Sequence, residues 1–93
     1  MNIQHQSDGH RGSFFFGEAT NPLAEMVYVM AGPKKMIIEH TEVDESLKGQ
    51  GVGAKLLEAL VDFARKEEIK VIPLCPFANA TFKKRKDLQD VLN

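Results

Sequence analysis

Lys48-Gly49-Gln50-Gly51-Val52-Gly53-Ala54 is the stretch whose reading decides the fold. It separates two runs of different period. Before it, Met36–Val43 (Met-Ile-Ile-Glu-His-Thr-Glu-Val) reads as a β-strand. After it, Ala54–Glu67 reads as an amphipathic helix. A glycine-rich turn from strand to helix exposes a row of backbone N–H groups. The helix start places a partial positive charge behind them. Such a turn is an anion site suited to a pyrophosphate, which points to a phosphate-bearing cofactor.

Working outward, Leu56, Leu57, Leu60, Val61 and Ala64 fall on one helical stripe. Lys55, Glu58, Asp62, Arg65 and Lys66 take the other side, so one face packs on a sheet. Val71-Ile72-Pro73-Leu74 returns as a short strand, parallel to Met36–Val43 across the helix. Pro73 marks an edge or a break in pairing, because it brings no N–H. Upstream, Ile3–Gln6, Ser13–Gly17 and Ala24–Met30 read as further strands. Turns are expected at Asp8-Gly9, Asn21-Pro22 and Gly32-Pro33. A last helix is expected from Phe77 to about Arg85, with Pro76 near its first turn. The expected fold is α+β: about four mostly antiparallel strands, extended by one parallel strand, with two helices.

At 93 residues the chain reads as a single domain, 1–93, near the size where one core is just adequate. A net charge of −1 gives no basic field for nucleic acid. Lys83-Lys84-Arg85-Lys86 is the one basic run, either a solvated helix end or a phosphate contact. Phe14, Phe15 and Phe16 read as core, since no basic residues interleave with them. Cys75 is the single cysteine, so no internal disulfide forms and a reducing compartment fits. No run approaches the roughly 20 apolar residues of a membrane span, and Met1–Gly12 has no apolar signal core. The expectation is a cytoplasmic protein without membrane or nucleic-acid partners, a monomer or weak dimer. No metal is expected, since His5, His10, His40 and Cys75 form no close ligand pair.

Three phosphate-binding motifs compete for the loop. A Walker loop needs Gly-Lys-Ser/Thr, and Gly53-Ala54-Lys55 does not supply it. Gly49-x-Gly51-x-x-Ala54 matches a dinucleotide fingerprint, but the chain is short for a doubly wound domain and shows no acidic ribose-binding residue after the next strand. The third pattern fits best. Lys48-x-x-Gly51-x-Gly53 resembles the pyrophosphate loop of the GNAT acyltransferase superfamily, Arg/Gln-x-x-Gly-x-Gly/Ala, with Lys in the first position. Ile38-Glu39-His40-Thr41-Glu42-Val43, Leu74-Cys75-Pro76-Phe77-Ala78 and Asp87-Leu88-Gln89-Asp90-Val91 resemble a compact branch of that superfamily. The similarity runs from about Ala24 to Leu92.

The resemblance implies acetyl-CoA as cofactor, CoA as product and an amine acceptor: a protein lysine, an N-terminus or a small amine. It implies a pantetheine arm wedged between Met36–Val43 and Val71–Leu74, along the backbone at Thr41 and Val43. The pyrophosphate would sit on the N–H groups of Gln50, Gly51, Val52, Gly53 and Ala54, beside Gly49, with charge from Lys48. Gly51 and Gly53 would allow close backbone approach. Asn79, one turn into the last helix, would bond the cofactor. The sequence departs from the superfamily in lacking the helices after the first strand and the C-terminal strand pair.

Amide-forming acyl transfer needs a base for the ammonium and an acid for the departing thiolate. Many GNAT enzymes use a Tyr as that acid. Here Tyr28 lies in an early strand, and Phe77 and Phe82 cannot act. His40 and Cys75 stand at the C-terminal ends of neighbouring parallel strands, which suggests one shared cleft. His40 would take the ammonium proton. Cys75 would protonate the thiolate or accept the acetyl group itself. Period-two alternation puts Glu42 on one face with Ile38 and His40, as the amine-attracting carboxylate. The alternative is a non-catalytic acyl-CoA-binding module or sensor.

Overall fold

The computed structural model describes residues 2–93. One five-stranded sheet has the order β1 (Gln4–Ser7), β2 (Arg11–Glu18), β3 (Asn21–Met30), β4 (Lys35–Val43) and β5 (Lys70–Pro73). The first four strands pair antiparallel, while β5 pairs with β4 in parallel. Helix α1 (Val52–Glu67) makes the crossover, and helix α2 (Pro76–Lys84) follows β5. Short 3₁₀ turns lie at Glu45–Leu47 and Lys86–Val91. The expected α+β architecture is present, with the two 3₁₀ turns added.

The stripe of α1 explains the core. Leu56, Leu57, Leu60, Val61 and Ala64 are fully buried against Met26, Tyr28, Met36 and Ile38 of the sheet. Burying each large side chain stabilises the fold by roughly 1.5–3 kcal/mol. Ala78 and Phe82 of α2, with Leu88 and Val91 beyond it, complete the same cluster. Arg11, Glu39, His40 and Glu42 stand on the other, solvent-facing side of the sheet.

Local differences from the expected pattern have identifiable causes. Asn21 and Pro22 belong to β3, not to a turn; Glu18 opposes Asn21, so the chain reverses at Ala19-Thr20. Pro22 opposes Gly17, beside a register shift, where the ladder is already irregular and a missing N–H costs least. Helix α1 starts at Val52 rather than Ala54. Gly51, at φ 72° and ψ 20°, turns the chain so sharply that the next residue is already helical. Val52 then joins the buried stripe one turn ahead of Leu56.

The largest departure lies in β4. Val27 opposes His40 and Tyr28 opposes Ile38, so Glu39 is an extra residue in the strand. A bulge of this kind reverses the alternation beyond it. Met36 and Ile38 face the helices before the bulge. After it, Thr41 opposes core residue Met26 and Val43 opposes core residue Ala24. His40 and Glu42 are left on the solvent-facing side. The expectation that Glu42 and His40 share a face holds, but that face is opposite to Ile38.

Edge strand β1 is held by an aromatic cluster. His5 stacks on Phe14 at 4.1 Å and meets Phe63 of α1 edge-on at 4.6 Å. Its Nε2 lies 2.6 Å from the hydroxyl of buried Tyr28. Packing lowers the His5 pKa from 6.5 by desolvation. Protonation therefore favours the unfolded chain. Stability is complete above pH 6.5 and falls as pH drops through the lower folded value. Phe14 and Phe63 do not titrate, and Tyr28 titrates far above this range, so His5 is the responsive group in the cluster. We expect a small fall in melting temperature as pH drops below 6.5, which His5→Gln flattens. The carboxylates Asp44, Asp87 and Asp90, whose pKa values are lowered by hydrogen bonds, act at lower pH and separate from this effect. A profile unchanged by His5→Gln would disprove the assignment.

Helix α1 ends with Glu68 at φ 58°, while Ile69 N–H donates to Ala64 O at 2.8 Å. This left-handed cap position is normally glycine. Glu68→Gly is expected to raise stability by about 0.5–1 kcal/mol in denaturant melts. A loss would show that the Glu68 side chain contributes more than its backbone strain costs.

Candidate active site

The site begins where β5 stops following β4. The parallel register runs from Lys35↔Lys70 to Ile38↔Pro73 and ends there. Leu74 N–H turns back to Ile72 O at 3.2 Å instead of continuing it. Cys75 N–H still donates to Ile38 O at 3.0 Å, and from Glu39 to Val43 no strand pairs with β4 on that side among the described residues. The two segments diverge as a wedge.

Cys75 sits at the head of the wedge. It is buried, and it is the N-cap of α2, with Asn79 N–H donating to its carbonyl at 2.9 Å. Its Sγ lies 3.3 Å from Thr41 Oγ1. The bulge creates this pair by turning Thr41 inward. It also separates His40 from Cys75: the two do not share a cleft. His40 is about half exposed, with Nε2 3.9 Å from a Glu42 carboxylate oxygen. Glu42 stands directly opposite Glu25 on β3. Glu25, Glu42 and Asp44 line a depression of about 130 Å³ at this end of the sheet.

Beside Val43 a cleft of about 450 Å³ lies between the glycine loop and α2. The loop is built for tight turning. Asp44 caps the 3₁₀ turn by accepting from Ser46 N–H at 3.0 Å and Ser46 Oγ–H at 2.6 Å. Gly49 and Gly51 both take positive φ, at 80° and 72°. The first bond of α1 runs from Lys55 N–H to Gly51 O at 3.1 Å. The N–H groups of Gly51, Val52, Gly53 and Ala54 therefore lack backbone partners among the described residues. No side chain caps this end, and no acidic residue stands in its first turn. Four free donors at a helix N-terminus, without a competing carboxylate, fit a phosphate group.

Gln50 is the exception to the expected row of donors. Its N–H bonds Leu47 O at 3.3 Å, and its side chain amide bonds Ser46 O at 3.2 Å. It takes no part in the cleft wall. The Asn79 Nδ2 donates to Pro73 O at 3.4 Å. Gly53 is tight for a reason inside the protein: a Cβ there would overlap the ring of Phe77. Lys48 and Val43 do line the cleft, and Lys48 also pairs with Glu45 at 3.0 Å.

The far wall is a face of α2 and its end: Phe77, Thr81, Lys84 and Arg85. Sequence reasoning reached only the basic pair. The i, i+4, i+7, i+8 spacing was the signal for the whole face. Arg85 is held by Asp87 at 2.8 Å and Glu58 at 2.9 Å, which raise its pKa and balance its charge. Lys84 has no ion pair among the described residues, so it is the uncompensated cation of the rim. Tyr28 is buried beneath the sheet beside His5, away from the wedge.

Comparison with known proteins agrees with this geometry. The family model described as GCN5-related N-acetyl-transferase matches residues 13–91. A GCN5-like protein from Staphylococcus aureus has 36% sequence identity and a TM-score of 0.76, over 99% of this chain and 87% of that one. The ribosomal-protein-alanine N-acetyltransferase of Brucella melitensis shares the fold, with a TM-score of 0.63 at 16% identity, over 92% of this chain and 64% of that one. Protein NATD1 of Xenopus tropicalis is 33% identical over 52 residues, 56% of this chain. The match spans about half of that curated relative, 48% of its length. Among the described residues, no helix is long and apolar enough to cross a membrane. With its mixed sheet, its glycine loop and its family match over most of its length, the chain belongs to the GCN5-related N-acetyltransferase family.

Proposed function

We propose that this protein moves an acetyl group from acetyl-CoA to a primary amine that approaches from the solvent-facing side of the sheet. The observation that carries this reading is the cleft at the start of α1. It holds the four free N–H groups of Gly51–Ala54 and reaches β4 at Val43, two residues along the strand from Thr41, which meets Cys75. Acetyl-CoA supplies an activated thioester carbonyl. The loop N–H groups, with Lys48 and Lys84, hold the phosphates, and Gly49 shapes the turn. The unpaired backbone of β4 at Thr41 and Val43 pairs with the amide-bearing arm.

Cys75 acts as the proton donor at the wedge. Its S–H is in reach of Thr41, so the hydroxyl can pass a proton on as the thiolate leaves. Direct attack by the amine requires no further covalent step. His40 accepts the ammonium proton from the open side, and Glu42 steadies the imidazolium formed. Glu42 with Glu25 and Asp44 gives this side a negative field that attracts a cationic acceptor. Protein lysines, N-termini and small amines all carry that charge.

The decisive experiment pairs calorimetry with turnover. Wild type should bind acetyl-CoA and CoA and release CoA when given amines. Cys75→Ala and His40→Ala should keep binding while turnover falls by about 10²-fold, the usual range for a general acid or base. Cys75→Ser should recover part of it. Binding without turnover for any amine would favour the sensor reading. A mass increase of one acetyl group, absent in Cys75→Ala, would replace direct attack by an acetyl-enzyme route.

Gly51 gives a second test. A Cβ at Gly51 would meet no protein atom within 4 Å, so the cost of substitution is its positive φ. Gly51→Val should lose about 1–2 kcal/mol of stability and most acetyl-CoA affinity. Gly51→Asn tolerates φ above zero and should regain stability without regaining affinity. Affinity that simply follows stability would refute the loop assignment.

A further inference from the structure

Gly53 and Phe77 are each the second residue of a helix, α1 and α2. Gly53 needs no special backbone: unlike Gly49 and Gly51, it does not take positive φ. Alanine would be the better helix former at such a position. What forbids it is space. A Cβ on Gly53 would stand 2.8 Å from Cε2 and 3.1 Å from Cε1 of Phe77, with Cζ closer still. The ring rests directly on the Gly53 backbone.

Phe77 is nonetheless 42% exposed. Part of its ring packs on Gly53, and the rest lines the cleft with Thr81 and Lys84 from the same helix. Val43, Leu47, Val52 and Ala54 add further apolar wall. A large apolar surface left open in a concave site is poised for burial by a partly apolar ligand. The free N–H groups of α1 lie on the same cleft, so one ligand would meet both surfaces.

We infer that Phe77 is the wall against which the aliphatic arm of a CoA-type ligand lies, and that position 53 is glycine to admit this ring rather than a phosphate. The identity of the ligand rests on the cofactor reading above; the steric pairing of Gly53 with Phe77 does not.

A mutant cycle tests both halves with wild type, Gly53→Ala, Phe77→Ala and the double variant. Gly53→Ala should lower the melting temperature when Phe77 is present and raise it in the Phe77→Ala background. Phe77→Ala should weaken CoA binding about tenfold while leaving 3′-phospho-ADP, which has the pyrophosphate but no arm, within about twofold. A merely structural role would not separate the two ligands. If Phe77→Ala does not fold, Phe77→Leu takes its place in both measurements, with the same signs and smaller size.

A Gly53→Ala variant that loses 3′-phospho-ADP affinity equally with and without Phe77 would assign the glycine to the phosphate and overturn the pairing. Unchanged CoA affinity in Phe77→Ala, with wild type binding CoA, would overturn the wall alone. Wild type binding neither ligand would overturn the wall together with the cofactor reading, and the melting temperatures would still decide the pairing.

Discussion

The end of the β4–β5 pairing at Ile38 is the constraint on which the site depends. Beyond Ile38 the parallel ladder stops: Leu74 N–H turns back to Ile72 O at 3.2 Å, and Cys75 N–H takes Ile38 O at 3.0 Å. One residue further along β4, Glu39 is the extra residue of a bulge. The first irregularity frees the edge of β4; the second rotates what that edge presents. Together they turn a closed sheet into a wedge with Thr41 and Cys75 at its head. An unpaired backbone group shielded from water costs about 1–3 kcal/mol, so the freed edge is stabilised by any ligand that supplies hydrogen bonds.

The remainder of the molecule holds that wedge at a fixed width. The buried stripe of α1 ties the loop's helix to the sheet from Val52 to Ala64. At its far end Arg65 makes a bidentate contact to Asp90, at 3.0 and 2.7 Å, and reaches Asp87 O at 2.7 Å. Lys70 on β5 donates to Asp90 O at 3.0 Å. Arg85 bridges Glu58 on α1 to Asp87 beyond α2. Exposed pairs of this kind are individually weak. Their value here is geometric, because they connect α1, β5 and the segment after α2, and so set where the cleft walls stand.

Much of this was legible in the sequence because it has a period. The stripe from Leu56 to Ala64 could be nothing but a helix face on a core, and the return of Val71-Ile72 after it required a parallel strand. The loop was legible because clustered glycines between a strand and a helix have few other uses. The bulge was not legible. Inserting Glu39 changes neither the composition nor the polarity of Ile-Glu-His-Thr-Glu, yet it reverses every side chain beyond it. Strict alternation therefore kept Glu42 and His40 together correctly but placed them on the wrong face, and it did not turn the Thr41 side chain toward Cys75. The wall on α2 was hidden for a different reason: Thr81, Lys84 and Arg85 look like an ordinary solvated helix surface until the neighbouring loop is in place.

The glycine loop shows how a motif can mislead when it is read as one device. Gly49 and Gly51 are glycines because the chain must pass through positive φ to enter α1 abruptly, and open space surrounds both. Gly53 is glycine with ordinary helical neighbours and a phenyl ring against it. The first two positions answer to the backbone and the third to packing. The free N–H groups exist because the helix starts so sharply, at a glycine that has no side chain to cap it. The anion site is thus a consequence of how the fold enters its crossover helix. The same glycine conformation that folds the loop leaves its donors free.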